Sequence, residues 1–133
     1  MLVNSLAVAA GGALGSLARF WLAELFAALG VVAFPWATLV ANVSGSLLIG
    51  LLASLSGPDG RLLVAPEVRL FWMVGVCGGY TTFSSFSLQT LALAQNGDWT
   101  KAGLNVVLSL VLCLVAVAFG YMIGSWLNRL QGA

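Results

Sequence analysis

Apolar residues run along this chain in four long blocks, separated by short polar stretches. The blocks cover about Leu2–Leu29, Trp36–Leu55, Val68–Ala94 and Thr100–Leu127. Each meets the need of a helix for roughly 20 apolar residues to cross a hydrocarbon core. A spanning β-barrel would instead alternate polar and apolar positions over strands of about ten residues, and no such alternation is present. The pattern predicts an all-α, multi-pass membrane protein: four transmembrane helices in a single domain, 1–133.

The polar punctuation agrees with four helices. Pro35 and Pro66 precede or open the second and third blocks, where a first helical turn tolerates proline. Glu67 then falls at a helix N-terminus, favourable for an acid. "SGPDGR" (Ser56–Arg61) is turn-rich, and in "NGD" Gly97 offers a helix stop and Asp98 a cap. The first block is read as a span rather than a cleaved leader, because no Lys or Arg precedes Leu2 and the apolar run passes any small-residue cleavage site.

Composition names the solvent. Of 133 residues, 61% are hydrophobic and 7% charged, against roughly a quarter charged in a soluble domain. The expected surroundings are the lipid bilayer. The net charge of +1 comes without a basic cluster, so nucleic acid is not a partner. Histidine is absent, which removes the commonest general base and metal ligand. With no paired acids either, an enzyme is not expected. Cys77 and Cys113 lie far apart in apolar runs and read as buried small residues.

Charge also bears on orientation. Four crossings place Arg61, Arg69 and Arg129 on the side of the termini, and Arg19 and Lys101 opposite. So small a bias barely feeds the positive-inside rule. Either one orientation wins narrowly, or the chain inserts both ways and can pair as an antiparallel dimer.

A few polar residues interrupt the blocks. Gly11 and Gly15, Gly12 and Ser16, and Gly120 and Gly124 stand four apart, as in close helix packing. Arg19 and Glu24 are charges inside a span; Arg19 is read at a water-filled vestibule or in a structural role, Glu24 at the surface. Asn42 and Ser46 share a face, and Asn105, Ser109 and Cys113 step by four. Such polar stripes are either interhelical glue or a pore wall.

The densest anomaly is "CGGYTTFSSF" (Cys77–Phe86). Gly78 and Gly79 each lower helix propensity by roughly 1 kcal/mol relative to alanine. Thr81, Thr82, Ser84 and Ser85 can rebond freed backbone groups. A helix break at membrane depth is tolerated only where it is buried or lines water, so the stretch predicts a binding site. Tyr80, Phe83 and Phe86, spaced by three, stay near one face if the segment is helical. Ring edges and neutral hydroxyl or amide donors favour an anion, and no acid lies between Glu67 and Asp98.

"GGALGSLAR" (Gly11–Arg19), "TLVANVSGSLLIG" (Thr38–Gly50) and "GVCGGYTTFSSFS" (Gly75–Ser87) together resemble the Fluc/CrcB family of fluoride channels. The resemblance implies an antiparallel, dual-topology homodimer that lets fluoride leave the cytoplasm passively. It implies a third helix broken near the membrane centre, with a structural sodium ion on backbone carbonyls of Gly78 and Thr81 from both subunits. Phe83 and Phe86 match the pore phenylalanines and Asn42 the pore asparagine. Thr82 and Ser84 join the pore set, and the fourth-helix track maps onto Ser109 and, more loosely, Asn105 and Cys113. Arg19 closes the first motif. Gln89 departs from the acid expected after "TTFSSFS". The alternative, a small multidrug-type dual-topology transporter, wants an acid midway along the first helix, and Glu24 comes late. A purely structural assembly subunit would not need the break and the rings together.

Overall fold

The computed structural model describes residues 1–130, all of it helix and short connections. Helix α1 spans Leu2–Ala28 and α2 spans Trp36–Leu55. A segmented leg follows: α3 (Pro66–Leu70), a π-helical stretch (Phe71–Cys77), one short turn α4 (Gly78–Tyr80) and α5 (Phe83–Gln95). Helix α6 closes the described chain at Trp99–Arg129. Among the described residues α1, α2 and α6 are each long and apolar enough to cross a membrane.

Local chemistry sets the ends. Pro66 opens α3 with Glu67 in its first turn, whereas Pro35 sits one residue before α2 rather than inside it. Helices α1 and α5 both stop at a glycine with positive φ, Gly30 (71°) and Gly97 (83°). At the second stop, Gly97 N–H donates to the Ala94 carbonyl and Asp98 N–H to the Leu93 carbonyl. This paired closure satisfies carbonyls that a helix end leaves free. Asp98 precedes α6 but makes no side-chain cap; its carboxylate holds Lys101 Nζ at 2.9 Å instead.

Packing runs along two glycine seams. On the first, Gly11 of α1 faces Gly75 of the segmented leg, Gly15 faces Val76 and Tyr80, and Gly79 packs on the Gly12 backbone. A Cβ on Gly15 would lie 2.8 Å from the Tyr80 nitrogen, and one on Gly75 2.8 Å from the Gly11 Cα. On the second, Gly120 and Gly124 of α6 meet α2 at Leu47, Leu51 and Ser54, while Gly50 of α2 meets Val117. Lipid tails are as apolar as leucine, so helices there gain from close backbone approach and dense contact. Leu14, Val107, Leu114 and Met122 are accordingly exposed on the outer faces. The spacing that predicts close packing at these glycines therefore matches the seams.

Candidate functional site

The segmented leg is interrupted about midway, at two residues. Thr81 (φ −82°, ψ 156°) and Thr82 (φ −155°, ψ 115°) are extended, so the helical ladder stops at Tyr80 and restarts at Phe83. The freed backbone groups are largely taken up. Thr82 N–H donates to Asn42 Oδ1 at 2.7 Å, and Asn42 Nδ2 donates back to the Thr82 carbonyl at 3.1 Å. Thr82 Oγ1 caps α5 by accepting the Ser85 N–H at 3.2 Å. On the other side, Arg19 Nε donates to the Gly79 carbonyl at 3.3 Å, with Ser16 Oγ near the same oxygen.

What stays free has opposite polarity on the two sides. Among the described residues no hydrogen bond reaches the carbonyls of Gly78 or Thr81, and the N–H groups of Phe83 and Ser84 take no acceptor. The carbonyls suit a cation. The start of α5, with its free N–H groups and the positive end of the helix dipole, suits an anion. Gly78 is exposed, and the nearest atom to a Cβ there would be the Met73 carbonyl oxygen at 4.0 Å.

A cleft of about 350 Å³ opens beside the break. It is lined by Asn42 and Ser46 from α2, by Gly78, Thr81, Thr82, Phe83 and Phe86, and by Ser109 and Cys113 from α6. No lining residue is charged. The two rings touch at a tilt, with 5.2 Å between centroids and 48° between planes. They differ in surroundings: Phe86 is 8% exposed and Phe83 74%.

Three expected residues lie elsewhere. Asn105 is fully buried behind the cleft, where its amide donates to Thr90 Oγ1 at 2.9 Å and accepts from Ser109 Oγ at 3.5 Å. It braces Ser109 from behind. Ser84 is exposed and pairs with Thr82 Oγ1 at 3.4 Å. Arg19 stands at the backbone of the break, tied to Gly79. Tyr80 leaves the ring series too: it precedes the extended residues, so spacing by three no longer aligns it with Phe83, and its hydroxyl meets Ser44 Oγ at 3.1 Å. Glu24 is exposed on α1, away from the cleft. Gln89 keeps its side-chain oxygen buried and without a hydrogen-bond partner among the described residues.

Sequence reasoning missed two parts of this arrangement. One is the Arg19–Gly79 tie, which depends on a register between α1 and the leg that spacing within one helix does not reveal. The other is Thr82 as the cap of α5. The signal was there, since a threonine stands three residues before Ser85 at the start of an apolar helix.

Comparison with known proteins agrees with the three motifs. The family described as CrcB-like protein, Camphor Resistance (CrcB), matches residues 6–121. The fluoride-specific ion channel FluC of Paramagnetospirillum magneticum is 58% identical over 92% of this chain and 95% of its own length. The channel of the same name from Rhodospirillum rubrum is 60% identical over 86% of this chain and 89% of its own. That of Opitutus terrae is 57% identical over 95% and 96%. With the match spanning nearly all of α1 to α6, the chain belongs to the CrcB family of membrane proteins.

Proposed function

We propose that this chain is a fluoride-selective channel, not an enzyme, and that it carries fluoride passively out of the cytoplasm across the cell (inner) membrane. The carrying observation is the neutral cleft at the break, lined by Phe83, Phe86, Thr82, Asn42 and Ser109. Fluoride is small and tightly hydrated, and removing its water without replacement is costly. A conducting path must supply donors that replace the water and still release the ion. Hydroxyls, an amide N–H, ring edges and the open N–H groups of α5 do so without a fixed charge. The names of the relatives support the choice of ion.

In this reading α3 to α5 form a fourth crossing with the break near the membrane centre, and two chains pair antiparallel. Two exposed features support pairing: the Phe83 ring and the open face over Gly78. The unbonded carbonyls of Gly78 and Thr81 fit half of a sodium site, to be completed by the second copy. Bound there, sodium would supply fixed positive charge and join the two breaks. This chain's own groups do the rest. Arg19 and Ser16 hold the Gly79 carbonyl, Asn42 clasps Thr82, and Thr82 caps α5, so the free groups keep their directions.

The test is ion efflux from liposomes holding the purified protein. Fluoride-loaded vesicles empty rapidly, and chloride-loaded vesicles do not. Equal efflux of the two ions, or none, sinks the proposal.

A further inference from the structure

A second cleft, of about 340 Å³, lies at the far end of α2 and α6 from Trp36 and Trp99. It is more polar than the first. Ser54 and Arg69 line it, with Asp59 from the connection and Tyr121, Ser125 and Asn128 from α6. The walls are pinned: Ser54 and Ser125 hydroxyls meet at 3.1 Å, Asn128 Nδ2 donates to the Ser54 carbonyl at 3.0 Å, and Asn128 Oδ1 accepts the Arg61 N–H at 3.0 Å.

Its depth in the bilayer follows from helix length. The 20 residues of α2 rise about 30 Å, the thickness of a hydrocarbon core. Ser54 and the residues after it therefore reach the headgroup layer. Tyr121 and Trp126, both exposed on the last turns of α6, are the aromatic residues that favour that layer.

Two opposite charges in this cleft are not paired with each other or with another charge among the described residues. Arg69 spends only Nε, on Ser56 Oγ at 3.3 Å. Asp59 accepts no hydrogen bond among the described residues, and the ion pair formed among them is Lys101 with Asp98. Arg69 and Asp59 share the cleft, yet their charged atoms are not within 4.0 Å of each other. A ligand with an anion and a hydrogen-bonding cation a short distance apart would satisfy both.

We propose that this cleft binds the phosphoethanolamine headgroup of a membrane lipid, with the phosphate on Arg69 and the ammonium on Asp59. The Arg69 guanidinium offers its remaining N–H groups to the phosphodiester, and the Tyr121 hydroxyl is placed to add a donor. A choline headgroup presents methyl groups to Asp59 and cannot donate. A glycerol headgroup brings no cation. The inference needs only the membrane setting and does not depend on which ion the other cleft carries.

The experiment is native mass spectrometry of the purified protein from micelles holding phosphatidylethanolamine, phosphatidylcholine and phosphatidylglycerol in equal amounts. The ammonium–Asp59 contact, which the other two headgroups lack, predicts retention of phosphatidylethanolamine about tenfold above them. Arg69→Gln removes that retention. Asp59→Asn keeps phospholipid bound but erases the preference for ethanolamine over glycerol. Both variants keep wild-type fluoride efflux in phosphatidylcholine vesicles, which shows that they fold. Tyr121→Phe, on an exposed side chain, weakens retention without threatening the fold. Equal retention of the three lipids by the unaltered protein, or a preference unmoved by both charge variants, overturns the proposal. So does soluble phosphoethanolamine binding as tightly as the lipid, which would make the ligand a free phosphomonoester.

Discussion

Asn42 holds Thr82 by both of its main-chain polar groups, taking the N–H at 2.7 Å and giving to the carbonyl at 3.1 Å. The amide thus does for an extended residue what a neighbouring strand or helical turn would do. An amide accepts with its oxygen and donates with its nitrogen at once. Asn42→Asp keeps the shape, loses the donor and sets a second acceptor against the Thr82 carbonyl. A buried group left unsatisfied costs about 1–3 kcal/mol. The expected outcome is fluoride efflux slowed by about tenfold or more, with a lower thermal midpoint in detergent. Unchanged efflux would separate the clasp from transport.

The two touching rings should fail differently. Phe83 is exposed in the single chain, while Phe86 is buried. Phe83→Ile is expected to stop fluoride efflux yet leave the fold and the proposed dimer intact on size-exclusion chromatography. Phe86→Ala empties a packed position and should destabilise the chain as well, by about 3–5 kcal/mol if it behaves like a soluble core. Survival of transport in Phe83→Ile would show that the ring edge there is dispensable.

Gly15 and Gly12 are adjacent in motif and opposite in tolerance. A Cβ on Gly15 runs into the Val76 carbonyl and the Tyr80 nitrogen, whereas one on Gly12 meets nothing within 4 Å. Gly15→Ala is expected to force α1 off the segmented leg and lower the yield of monodisperse protein. Gly12→Ala should stay within about 0.5 kcal/mol of wild type. Thermal unfolding of the two variants side by side decides the matter.

Gly78 has room within its own chain, so its sensitivity would report on assembly. Gly78→Val is expected to fold and to shift the protein from the proposed dimer toward monomer. Replacing sodium by a large organic cation should slow efflux by the unaltered protein. A dimeric, sodium-responsive Gly78→Val protein would remove the proposed cation site from this residue.

Much of the fold could be read from the chain because lipid leaves helix as the one open-ended way to bury backbone. Helix α2 begins and ends where the apolar block does, and α1 and α6 differ from theirs by one or two residues. The break was legible in Gly78, Gly79 and the hydroxyl run, since both weaken a helix locally. The direction of Asn105 and the place of Arg19 were not. Each is decided by the azimuth of one helix against another, and a stripe of residues four apart states a face without saying which neighbour it meets. Tyr80 shows the same limit: spacing by three aligns rings only while the backbone stays helical, and it ceases to be helical at Thr81.

The two glycine seams divide the chain's interruption between different owners. Before Thr81 the leg packs mainly on α1 through Gly11 and Gly15, with Tyr80 touching α2 at Ser44, and α5 packs on α6, which Gly120 and Gly124 fasten to α2. The free Gly78 carbonyl therefore takes its position mainly from α1, and the rings take theirs from α6. Mutational damage should partition the same way. A lesion in one seam and a lesion in the other should add in free energy, as separate sites do, while changes at Asn42, Ser44, Tyr80, Thr81 or Thr82 should couple them. In genetic terms, the break is where two independent inheritances of geometry are joined.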